Sequence, residues 1–204
     1  MCMNNSMCGC ANNNNCTSLG PFIAVDAACI TTPAPTTGTM VPFSSGTVPV
    51  ILATLAGGLV GTTSLVGFGT AIPGVSLVGT NIDLSAATGT EAFSVPRAGS
   101  ITSISAYLSA TAALNLIGGT ATVRAQIYRA VAGTNVFNPT TAFVDLTPAL
   151  STIAIGTITS GTANVAPVPV AAGDRLLMVY SVTTTGIAAV TTIEGNASAG
   201  INIV

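Results

Sequence analysis

The sequence predicts an all-β chain: an antiparallel two-sheet sandwich of about eight to ten strands, preceded by an extended N-terminal arm. Three observations carry that prediction. Apolar and polar residues alternate with a period of two in several stretches beyond residue 42. Turn signals rich in Gly, Asn and Asp recur between those stretches at the spacing of short strands. No stretch combines helical periodicity, caps and sufficient length.

Residues 1–16, MCMNNSMCGCANNNNC, hold four of the five cysteines and carry no charge. LGPFIAVDAACI (19–30) follows with the fifth, Cys29, and then TTPAPTTGTMVP (31–42). Pro33 and Pro35 hold this last stretch extended, so it reads as a linker. The composition shift near residue 42 divides the chain into an arm with linker, 1–41, and a body, 42–204. Fully extended at about 3.3 Å per residue, such an arm reaches on the order of 100 Å, beyond its own body. Phe22, Ile23, Ala24 and Val25 form a patch apolar enough to dock as a strand on another surface.

Within the body, VPVILATLAGGLVGTTSLVGFG (48–69) is uncharged and hydrophobic enough to pass a crude test for a membrane span. Pro49, the glycines and the lack of flanking Lys or Arg predict two short buried strands with a turn instead. In ITSISAYLSA (101–110), Ile104, Ala106 and Leu108 face one way, and Ser103, Ser105, Tyr107 and Ser109 the other. ATVRAQIYRA (121–130) sets Val123, Ala125 and Ile127 against Thr122, Arg124, Gln126 and Tyr128. Period two with one wet face is the pattern of antiparallel strands. RLLMVYSV (175–182) is apolar on both faces and suits a central strand. PRAG (96–99), IGG (117–119), AGTN (132–135) and AAGD (171–174) supply turns, and the strand count favours a jelly roll.

Only 5% of residues are charged, against about 25% in an ordinary soluble domain. Lys, His and Trp are absent, and the cations are Arg97, Arg124, Arg129 and Arg175. Four scattered arginines on a chain of net charge −2 build no phosphate-neutralising patch, which argues against a nucleic-acid partner. A surface this poor in charge is weakly protected against self-association, so the expected partner is another copy of the chain. With no His, and with every thiol on the arm, no catalytic residue and no cofactor are expected.

The cysteines admit three readings. Cys8-Gly9-Cys10 with Cys2 and Cys16 forms a thiolate metal site; the five close disulfides; or they form a reduced tail without a role. The chain shows neither paired C-x-x-C motifs nor histidines, so no metal ligand is assigned. Five is odd, leaving at least one thiol free or joined to another chain. On a long arm, Cys2, Cys8, Cys10, Cys16 and Cys29 are candidates for intersubunit cross-links. Asn4-Asn5-Ser6, Asn15-Cys16-Thr17 and Asn196-Ala197-Ser198 match the glycosylation sequon, a short pattern common by chance in chains of this composition.

GGLVGTTSLVGFG (57–69), AFSVPRAGSITSISAYLSATAALNLIGGTATVRAQIYRA (92–130), AAGDRLLMVYSVTTTG (171–186) and ASAGINIV (197–204) resemble, in this order, the C-terminal domain of BclB-type exosporium glycoproteins of Bacillus spores. The resemblance implies a jelly roll of the C1q/TNF-like kind that trimerises. Where those proteins carry a collagen-like stalk, this chain has its Cys/Asn arm, whose layout is similar to the N-terminal connectors of endospore appendage pilins. Together they imply a structural, non-enzymatic subunit of a spore-surface fibre, with homotrimers stacked head to tail through their arms. They also imply further contacts with spore-coat or exosporium anchor and tip proteins. The alternative they allow is a trimeric tip domain acting as an adhesin or ligand-binding module. Neither a secretory leader nor a membrane span is expected, and the location implied is the spore surface after release from the mother cell. Such layers are assembled in a reducing cytosol and oxidised on release, which reconciles disulfides with the missing leader.

Overall fold

Alternation of the kind seen at 101–110 builds strands because each residue faces either a core or water, never both. The computed structural model describes residues 38–86, 90–186 and 190–204. In chain order its strands are β1 (Thr39–Ser44), β2 (Val50–Thr54), β3 (Val60–Val66), β4 (Ala71–Ser76), β5 (Ile82–Asp83), β6 (Phe93–Ser94) and β7 (Gly99–Ala110). They continue as β8 (Leu114–Asn115), β9 (Thr120–Ala130), β10 (Val136–Asp145), β11 (Thr152–Ile153), β12 (Ile158–Val170), β13 (Arg175–Thr185) and β14 (Thr192–Ile203). Every ladder between them is antiparallel, and no helix occurs among the described residues.

The fold is a jelly-roll sandwich. A front sheet runs β12–β7–β14, and β1 and β2 share the far edge of β14. A back sheet runs β10–β9–β13–β3, extended by β4 beyond β3 and by the short β5 and β6. The chain crosses repeatedly between the sheets, and β2, paired with both β14 and β3, joins them at one corner. The predicted pair of buried strands at 48–69 is this β2–β3 hairpin.

Ile101, Ile104, Ala106 and Leu108 of β7 pack across the sandwich against Ala121, Val123, Ala125 and Ile127 of β9 and Met178, Tyr180 and Val182 of β13. Small residues recur on both inner faces, which lets the sheets approach closely around a few large side chains such as Phe43 and Tyr180. Tyr180 is the polar member of this core. Its buried hydroxyl crosses to the front sheet and donates to the carbonyl oxygen of Ser198 at 2.7 Å, and burial pushes its pKa well above the usual tyrosine range. β13 is central, as its two apolar faces predict: Leu177 and Val179 on its outer side pack with Leu65, Ile82, Tyr128 and Phe137 in a second core.

That second core changes one expectation. Tyr128 belongs to the polar set of ATVRAQIYRA, yet it is buried, because the chain from β4 to β5 lies over this part of the back sheet with Ile72, Val75 and Leu77. β1 also begins at Thr39, inside the stretch that composition assigns to the linker. Val41 and Phe43 enter the core while Thr39, Met40 and Pro42 stay exposed, so the alternation is genuine but hidden among turn-forming residue types.

Candidate assembly surfaces

The arm residues singled out by sequence, Cys2, Cys8, Cys10, Cys16, Cys29, Phe22, Ile23, Ala24 and Val25, lie outside the described residues. What the structure contributes is the body surface and the chemistry it carries.

Several ionisable groups on that surface are tied to local partners. Arg124 donates from Nε and Nη2 to the two Asp145 oxygens at 2.6 and 2.8 Å and stacks over the Phe143 ring. The carboxylate holds the Arg124 pKa above its ordinary value. Asp83 accepts from the Ser85 backbone N–H at 2.9 Å, and bonds from Ser85 keep its carboxyl below the usual range. Glu91 is the opposite case: partial burial against Gly67 raises its pKa, and its carboxylate occupies the space a side chain at 67 would need. Among the described residues no group of three His, Cys, Asp or Glu side chains converges to hold a metal ion.

The outer face of the front sheet is different. Register aligns its outward positions in rows: Met40, Asn202, Ser103 and Asn164; Pro42, Gly200, Ser105 and Thr162; Ser44, Ser198, Tyr107 and Ser160; then Asn196, Ser109 and Ile158. None is charged, and the first charge met is Glu194, on the next outward position of β14. The hydroxyls partly satisfy one another, as Ser105 and Thr162 do at 2.8 Å across β7 and β12. A solvated sheet face normally carries Lys and Glu, which discourage adhesion. This one is four strands wide with Tyr107 near its centre.

Beside this face the edges of β10 and β12 leave an open groove of about 380 Å³, lined by Phe143, Val144, Ala163, Val165, Asn164 and Asp145. Gly161 permits the close approach, since a side chain there would meet Val144 and the Asp145 carbonyl. Where the chain leaves β1, Phe68 stacks on buried Phe43 with ring centroids 5.4 Å apart and stays half exposed. The polar side of β7 was legible as a wet face, whereas β12 was not singled out as a strand. Their lack of charge was visible residue by residue, but the single face they form needed the register.

No family model matches the chain. It is 34% identical over 180 residues to "Collagen-like protein 1" of Acanthamoeba polyphaga mimivirus, covering 83% of this chain and 19% of that protein. The chain thus spans about a fifth of the length of that relative. Among solved structures, similarity is found to Eiger TNF from S. frugiperda, at 14% identity and a TM-score of 0.37, over 82% of this chain and 94% of that one. A second is a protein of the infectious bursal disease virus Gx strain, at 11% identity and a TM-score of 0.36, over 92% and 36%. No helix among the described residues is long and apolar enough to cross a membrane.

Proposed function

We propose that the chain is a structural, non-enzymatic subunit of a bacterial spore-surface fibre. The jelly-roll body associates as a C1q/TNF-like homotrimer of the BclB type, and the arm, 1–37, links one trimer to the next. The single observation that carries this reading is the charge-free outer face of the front sheet, which lacks the side chains that keep a sheet monomeric. Similarity to a protein named for its collagen-like sequence supports placement in a fibrous assembly. A head-to-tail contact that does not close into a ring propagates as a filament, and an arm-to-body contact is of that kind. The arm cysteines Cys2, Cys8, Cys10, Cys16 and Cys29 then close intersubunit disulfides once the assembly reaches oxidising surroundings, each worth typically about 2–4 kcal/mol.

A second reading, a trimeric tip module that binds a ligand, is favoured by an open depression of about 430 Å³ at one end of the sandwich. Negative-stain imaging of the purified chain separates the two. Fibres of one component are expected from the full chain, and discrete trimers from a chain truncated before Gly38. The cut belongs there because Val41 and Phe43 of β1 are core residues. Fibres that form normally without the arm overturn the first reading, and full-length trimers that never polymerise favour the second.

A further inference from the structure

Four segments meet at one end of the sandwich, the tip: the 55–59 turn, residues 111–119, residues 147–157, and Val190–Thr191 before β14. Backbone hydrogen bonds stitch them together, from Leu116 N–H to Ser151 O and from Gly156 N–H to Ala110 O, both at 2.8 Å. On the other side Thr54 N–H donates to Thr191 O at 2.9 Å and Thr184 N–H to Gly58 O at 3.0 Å. None of these segments contains a charged residue. They present Leu55, Leu59, Ile117, Ile155 and Val190, each between 54% and 87% exposed. Single exposed aliphatics are ordinary, but five on one uncharged end mark a surface that is covered in use. Within it lies the depression of about 430 Å³, floored by residues 115–120 and 151–152. Beside it, β8 and β11 form a two-stranded sheet whose strands are both edge strands.

The occupant is indicated by where the chain enters the body. Thr39 pairs with Ile203 at the opposite end, the base, so residues 1–37 join the body at the end farthest from the tip. β14 runs between the two ends, and its 12 residues span about 40 Å. Extended, the preceding segment reaches on the order of 120 Å, enough to pass along a neighbour and lie across its far end. It carries one charge, Asp26, so it leaves almost no ionic group unpaired on an uncharged surface.

We propose that the tip of one molecule is the docking site for the N-terminal arm of another, with Phe22, Ile23 and Val25 laid over Ile117 and Ile155. The inference rests on the fibre reading and names its acceptor. Pairing of two tips would close into a dimer and stop, whereas arm on tip continues.

Every cysteine lies at or before Cys29, so a single thiol placed on the body reports its own neighbours. In the full-length chain, Ile117→Cys is expected to form an intermolecular disulfide with an arm cysteine, chiefly Cys29, mapped by mass spectrometry of non-reduced peptides. Its yield is expected to be several-fold above that of Val131→Cys, an exposed position in the turn that follows β9 at the base. Equal yields, or a disulfide joining position 117 of two molecules, overturn the inference. In a second arm of the test, Ile117→Asp with Ile155→Asp abolishes fibres while the melting temperature stays unchanged. Normal fibres from that variant overturn tip docking and leave the fibre reading standing. If the unmodified chain makes no fibres while the tip-to-arm disulfide still forms, the fibre reading alone fails; if neither forms, both fall.

Discussion

At the base of the sandwich the loops are held by charge, and at the tip by backbone bonds and buried leucines. Asp174, almost wholly buried, accepts from Ala171 N–H at 2.9 Å and Ala132 N–H at 3.3 Å and pairs with Arg129 Nε at 3.2 Å, which ties two turns together. Arg175 donates to Asn135 and Thr90, and Arg97 to Thr39 where β1 begins. Among the described residues the tip has no such group. Leu116, Leu150 and Ile153 pack beneath its loops, and Leu150 exchanges backbone bonds with Ala121 at 2.7 and 2.8 Å. Charge is therefore not needed to order loops in this fold, and its absence from the tip leaves the outside free to be apolar.

The largest test of that contrast is Asp174→Ala. It strands two part-buried N–H groups and a partly buried guanidinium, and is expected to cost about 3–5 kcal/mol in denaturant unfolding. A loss below 1 kcal/mol would show that the base is not charge-pinned. Leu150→Ala probes the other end and is expected to cost about 2–4 kcal/mol by opening a cavity under the tip. Should it prove neutral, the tip loops are not packed as described.

The smallest effect is a pH dependence. Burial raises the Glu91 pKa, so the folded state favours the protonated form and stability falls as pH rises through the carboxylate range. Asp83 acts in the opposite sense, its hydrogen-bonded carboxylate losing its contribution as pH falls. Glu91→Gln is therefore expected to match the parent near pH 3 and to exceed it slightly at neutral pH, by less than about 0.5 kcal/mol for so exposed a group. A variant less stable at neutral pH contradicts this sign.

How much of this was legible in the sequence varies by region. Strands β7, β9 and β13 were, because a long strand in a sandwich repeats its in-out choice often enough to be read. β1 was not fully so, since Thr39, Gly38 and Pro42 disguise an alternation that only Val41 and Phe43 reveal. Tyr128 was misplaced because a segment distant in sequence covers it, which no local period encodes. The tip was invisible for the same reason: positions 55, 59, 117, 155 and 190 share no period and meet only through the fold.

The three tyrosines have an optical consequence. With no tryptophan in the chain, its near-ultraviolet emission and most of its aromatic absorbance come from Tyr107, Tyr128 and Tyr180. Two of these rings are locked inside separate cores, and only Tyr107 meets solvent. Whatever comes to lie on the front sheet therefore alters the signal of one chromophore in three, and the molecule carries an intrinsic gauge of that face without any label.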